Sequence, residues 1–149
     1  VDEHLRTSDP HIWAAGDIAA WPDPHSGQRI RVEHWDVAYN QGLCAGRNMA
    51  GADEPYRILP YFFSDILDLS FEAWGTLARS ERILVRGSVA ERSVSYWYVH
   101  EGRVLGVLAI GRPEPEREAM QALVARGPLA AEVEVVLMDT GVDLASLAG

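Results

Sequence analysis

Between Tyr61 and Ile110 the chain is a succession of short segments dense in aromatic and β-branched residues, and this pattern does most to limit what it can fold into. The segments are Tyr61-Phe62-Phe63, Leu67 to Trp74, Ile83 to Val85, Val94 to Val99 and Val104 to Ile110, and strands drawn from among them are the natural reading. Ser93 to Val99 and Arg103 to Ile110 flank His100-Glu101-Gly102, a compact hairpin connection, so the strands should run antiparallel, three or four of them. Pro113-Glu114-Pro115 then opens a helix over about Glu116 to Ala125, with Ala119, Leu123 and Met120 on its inner side. The tail from Leu129 to Gly149 is ambiguous. Val133 to Met138 reads as a short strand or an extended packing segment, and Leu144 to Leu147 as a final turn.

The first 59 residues follow a different pattern. Thr7-Ser8-Asp9-Pro10 is a turn cluster, and the run His11-Ile12-Trp13-Ala14-Ala15-Gly16-Asp17 reads as a buried strand with a tight exit. Trp21 to Gly27 is too rich in Pro and Gly for a regular element and reads as a surface loop. From Val32 the period changes: Asp36 is placed to cap a helix in which Val37, Asn40, Gln41, Cys44, Ala45, Asn48 and Met49 recur at helical spacing. Asn48-Met49-Ala50-Gly51 supplies its stop. Gly42 and Gly46 share a face and leave room for a close neighbour. One strand and one helix cannot build a layered domain. The expected organisation is therefore a strand-and-helix remnant at residues 1–59 of an α/β domain and, at 60–149, a small α+β domain with an antiparallel sheet and a C-terminal helix. Val1 in place of an initiator methionine agrees with structural partners lying upstream.

Charge and composition exclude several classes. With 13 basic against 22 acidic side chains the formal charge is −9, which argues against a general nucleic-acid binder or adsorption to acidic membranes. Every basic residue is arginine, so a Schiff base, a lysine nucleophile and a phosphate-loop lysine are ruled out within the chain. No apolar run approaches the ~20 residues of a membrane span. The single cysteine, Cys44, rules out an internal disulfide framework and fits a reducing compartment, the cytoplasm being the expected location. No zinc spacing, Gly-x-Ser-x-Gly elbow or Gly-x-Gly-x-x-Gly loop occurs, so no metal ligand and no catalytic side chain is assigned.

Three places can carry a ligand, each with a purely structural alternative. Gly16-Asp17 follows an apolar run, where a short carboxylate can accept hydroxyl hydrogen bonds, or simply close a turn. Arg31-Val32-Glu33-His34-Trp35-Asp36 leads into a helix whose start offers free N–H groups and a positive dipole end; Glu33 and His34 either touch a ligand or form local ion pairs and caps. Tyr61-Phe62-Phe63-Ser64-Asp65 either fills a core or stacks on a planar ligand. Cys44, on the apolar helix face, reads as packing rather than a nucleophile.

In this order the segments resemble a known family. Thr7-Ser8, Pro10, Ile12 and Ala14-Ala15-Gly16-Asp17 come first, then Val32-Glu33-His34-Trp35 with Ala38 and Gln41-Gly42. Gly51 to Tyr56 and Phe62-Phe63-Ser64-Asp65 follow. Together they look like the C-terminal part of FAD-dependent pyridine nucleotide-disulfide oxidoreductases, in the branch of ferredoxin and rubredoxin reductases and apoptosis-inducing-factor-like proteins. The resemblance implies that FAD and NAD(P)H domains precede this chain, with residues 1–59 the last strand and helix of the FAD domain. It implies that Asp17 hydrogen-bonds the ribityl and pyrophosphate region of FAD and that N–H groups around His34 and Trp35 face the flavin pyrimidine carbonyl. Glu33 would sit beside the nicotinamide carboxamide and Phe63 against the isoalloxazine. Many relatives carry tryptophan at that last position, so Phe63 would pack without an indole N–H. The implied activity is hydride transfer from NAD(P)H to flavin and electron delivery to a ferredoxin-like iron–sulfur protein, the chain alone being inactive. The alternative reading is a non-enzymatic docking or dimerisation module, with a homodimer as its product.

Overall fold

An amphipathic helix and two short turns bury the apolar residues of the first part of the chain, and a five-stranded sheet those of the second. The structure, a computed structural model, describes residues 1–78, 80–128 and 131–148. It divides into two units, Val1–Phe62 and Phe63–Gly149.

In the first unit, helix α1 (Trp35–Met49) turns Val37, Gln41, Cys44, Ala45 and Asn48 inward, while Met49 stays exposed. Leu5, Trp21, Val37, Cys44, Ala45 and Tyr56 form the core, with Trp21 meeting the Tyr56 ring edge-on at 5.7 Å. Asn48 is a buried polar hub: its Nδ2 donates to the carbonyls of His4 (2.9 Å) and Glu54 (2.8 Å), and its Oδ1 accepts from the Glu54 N–H at 2.6 Å. Gly51, at φ +95°, ends the helix as expected.

Three local expectations are corrected here. The run from His11 to Asp17 is no strand. It makes one isolated antiparallel bridge, Trp13 to Arg6, and then a 3₁₀ turn at Gly16–Ile18. A strand exists only by pairing, and among the described residues no other segment pairs with this run. The loop beginning at Trp21 holds a two-residue strand, β1 (Trp21–Pro22), paired with β2 (Arg29–Ile30), and Trp21 is fully buried rather than at the surface. Asp36 is not the cap: the helix starts two residues earlier than expected, with His34 as N-cap, leaving Asp36 in the first turn, where its charge favours the dipole. The room expected at Gly42 and Gly46 is there: among the described residues nothing lies within 4 Å of either Cβ position.

The second unit is an antiparallel sheet of five strands, one more than the sequence reading allowed, because Tyr61–Ile66 (β3) pairs with Leu69–Gly75 (β4). With β5 (Arg82–Ser88), β6 (Ser93–His100) and β7 (Arg103–Ile110) the order is β3-β4-β7-β6-β5. The expected hairpin at His100-Glu101-Gly102 joins β6 to β7. Register puts Leu84, Trp97, Val107 and Trp74 in one cross-strand row. Helix α2 (Glu114–Arg126) packs over β4 and β7 through Ala119, Met120, Leu123 and Val124. Val133 to Met138 is neither strand nor extended segment but part of helix α3 (Ala131–Met138), packed on β5. There Leu137 is fully buried and Glu134 takes a bidentate pair of bonds from Arg82, both 2.8 Å, so tertiary contacts outweigh the β-propensity of the Val residues. The final turn is α4 (Ala145–Ala148), with Leu144 buried beside it. Leu129 and Gly149 lie outside the described residues.

Candidate functional site

The 3₁₀ turn and the start of α1 meet through small residues. Gly16, at φ +77°, has its Cβ position 3.3 Å from the Ala38 Cβ, and its N–H donates to Gln41 Oε1 at 2.8 Å. Two helix positions one turn apart thus clamp the backbone of Gly16. Arg31 completes the arrangement: its Nη1 donates to the Asp17 carbonyl at 2.9 Å and also to the Glu33 carboxylate. Asp17 and Glu33 are therefore brought together through one guanidinium, with Glu33 already paired.

The Asp17 side chain is exposed and makes no hydrogen bond among the described residues. His34, the N-cap, gives no side-chain hydrogen bond to the first turn of α1, so its N–H groups remain available. The imidazole of His34 stacks on Phe62 with centroids 4.6 Å apart and planes 29° apart, and its Nδ1 is buried without a partner. Burial lowers the pKa of His34 from its ordinary value, although the nearby Asp17 and Asp36 carboxylates pull it upward. Trp35 follows at 75% exposure, stacked on Tyr39 at 5.2 Å, and Ile18 beside Asp17 is 82% exposed.

A free carboxylate, an uncapped helix start, an unpartnered buried nitrogen and exposed apolar side chains thus occur together in the first unit. Such a set can bind a ligand carrying hydroxyls, a carbonyl and a flat apolar ring. Phe63 lies in the second unit, on β3, and is 61% exposed. Sequence reasoning named Arg31, Gln41 and Phe62 only as members of larger segments, with no contact assigned to any of them. Gln41 was visible as part of Gln41-Gly42, but its contact with Gly16 spans 25 residues.

Cys44 is buried, its pKa raised chiefly by desolvation, with its Sγ 3.5 Å from the Glu54 carbonyl. A thiol reagent should label it only after denaturant is added; rapid labelling of the folded chain would contradict this placement. Two of the cavities, of about 150 and 350 Å³, lie among described residues of the first unit, the smaller beside His4, Arg6 and Asn48 and the larger beside Pro24, Tyr56 and Arg57. Among the described residues no three His, Cys, Asp or Glu side chains gather as a metal site, and no helix is long and apolar enough to cross a membrane.

Comparison with known proteins finds a family and several similar reductases. A family model described as "Reductase C-terminal" matches residues 61–148. Rhodocoxin reductase of Rhodococcus erythropolis is 33% identical over 144 residues, 97% of this chain and 33% of that protein. The solved structure of a ferredoxin reductase from Rhodopseudomonas palustris superposes with a TM-score of 0.85 at 31% identity, over 100% of this chain and 36% of that one. Putidaredoxin reductase in its covalent complex with putidaredoxin gives 0.84 at 29% identity, over 99% and 34%. The chain spans about a third of the length of these relatives.

Proposed function

The chain belongs to the reductase C-terminal family, and from that premise we propose that it is the C-terminal part of an FAD-dependent NAD(P)H reductase that passes electrons to a ferredoxin-like iron–sulfur protein. The observation that carries the reading is a likeness to ferredoxin reductases that runs through the whole chain, including residues 1–60, which lie outside the family model. We assign residues 1–59 to the end of the FAD-binding domain and 60–149 to the reductase C-terminal domain, and expect the parent protein in the cytoplasm.

The residues around α1 fit FAD. The free Asp17 carboxylate is suited to accept hydrogen bonds from the ribityl hydroxyls, and the uncapped N–H groups after His34 to donate to a pyrimidine carbonyl. The positive end of the helix favours negative charge there. Trp35 and Ile18 offer apolar cover. We assign Glu33, paired with Arg31, to the nicotinamide carboxamide, and Phe63 to packing against the ring system without an indole hydrogen bond. FAD, when bound, supplies the redox chemistry, taking reducing equivalents from NAD(P)H and releasing them as single electrons.

The full-length protein should show flavin absorbance that bleaches with NAD(P)H; a folded but colourless protein would defeat the reading. In that protein D17A should weaken FAD retention about 10- to 100-fold, the scale of hydrogen bonds to a charged group. Flavin occupancy unchanged after dialysis would remove Asp17 from the site. Light scattering of the same protein tests the homodimer.

A further inference from the structure

The resemblance points to Phe63, yet the ring that touches the start of α1 belongs to its neighbour. We infer that Phe62 is a positioning residue: stacked on the His34 imidazole, it sets the plane of that ring at the N-cap of α1 and shields it from water. Its importance for electron transfer rests on the flavin reading above, whereas the positioning itself does not.

His34 has little else to orient it. Its Nδ1 is buried and makes no hydrogen bond, and its side chain does not cap the helix. Packing must therefore hold the ring, and the 4.6 Å stack is the aromatic contact that does so. The charges around it act in the opposite sense. Asp17, from the 3₁₀ turn, and Asp36, from α1 itself, both favour an imidazolium, while Glu33 next in sequence is engaged by Arg31. Shielding outweighs these carboxylates, and the ring is held neutral at neutral pH. At neutral pH the helix start therefore presents the partial charge of the dipole without an imidazolium beside it. A bound ligand at neutral pH meets the helix dipole and a neutral imidazole there.

The test is a histidine NMR titration of the 149-residue chain, with His34→Asn identifying the resonance. Phe62→Ala should raise the proton affinity of His34 by about threefold or more, because the ring gains water while Asp17 and Asp36 remain. Phe62→Tyr, which keeps a stacking ring, should leave it as in the wild type. Phe62→Leu, with apolar bulk and no flat ring, serves if the alanine variant does not fold, and should also raise it. In the flavin-loaded full-length protein, F62A should move upward the inflection that His34 gives to the pH dependence of the flavin midpoint potential, whereas F62Y should not move it and the F62A/H34N double variant should lack it. An unchanged His34 titration in F62A or F62L, a raised one in F62Y, or an inflection that survives H34N would each overturn the proposal. A full-length protein without flavin would defeat the functional reading and leave the titration result standing.

Discussion

Replacing Arg86 with methionine should remove about 3–5 kcal/mol from the stability of the second unit, the range for breaking a buried, paired charge. Arg86 lies on β5 and is 1% exposed. Its Nη1 donates to the carbonyls of Leu137, at 3.3 Å, and Asp139, and its Nη2 to the Val142 carbonyl at 2.8 Å. Nη2 also approaches the Glu116 carboxylate at 3.5 Å, and that carboxylate is bonded by Arg112 Nε at 2.7 Å. One guanidinium thus satisfies the end of α3, the turn after it and the first turn of α2. Methionine fills the volume but leaves those carbonyls without a donor and Glu116 with less compensation. Lysine keeps the charge but lacks the planar fork that serves several acceptors at once, so R86K should recover only part of the loss. Urea denaturation measures the cost, and hydrogen exchange should show faster exchange at residues 137–147 in R86M. An R86M midpoint equal to the wild type would show that this arginine does not anchor the tail.

Nothing in the sequence around Arg86 announces this role. Ile83 to Val85 and the glycine after Arg86 read as an ordinary strand end, and the partners lie 51, 53 and 56 residues downstream, in the tail that the sequence left ambiguous. The same limit explains α3, whose valines favour a strand until Glu134 is paired with Arg82 and Leu137 is buried on β5. Features that depend on local chemistry were legible. The turn at His100-Glu101-Gly102, the Pro-led start of α2 and the glycine stop of α1 each require only a few neighbouring residues. The candidate site was legible in part. Asp17, Glu33, His34 and Trp35 were visible as an ordered motif; the structure joins Asp17 to Glu33 through Arg31, and Gly16 to α1 through Gln41. Phe62 was not distinguishable from Phe63 in the sequence, because alternation along a strand leaves open which of two adjacent aromatics meets a distant histidine.

Gly75→Ala should be nearly as damaging as the loss of Arg86, and for a reason that also predicts a substitution of opposite sign. Gly75 ends β4 opposite Gly106 of β7, at φ +77°, a conformation that costs alanine roughly 1–2 kcal/mol. A Cβ there would stand 2.2 Å from the Leu105 carbonyl oxygen, 2.9 Å from Val124 Cγ1 and 3.0 Å from the Gly106 Cα. Two of those atoms are backbone held by the sheet. Leu105 O also accepts the Thr76 N–H at 2.9 Å, so it cannot retreat without breaking that bond. Overpacking adds about 1–3 kcal/mol, for a total of about 3 kcal/mol or more and a fall in Tm of roughly 10–20 °C for a unit of this size. The glycines of α1 provide the comparison. Gly42 has ordinary helical backbone and nothing within 4 Å of its Cβ position, so G42A should raise stability by about 0.5–1 kcal/mol through helix propensity alone. Calorimetry of the two variants should therefore move Tm in opposite directions. If G75A melts with the wild type, the close approach of β4, β7 and α2 is not a constraint on the fold; if G42A instead melts well below the wild type, the open face of α1 is covered by a neighbour after all.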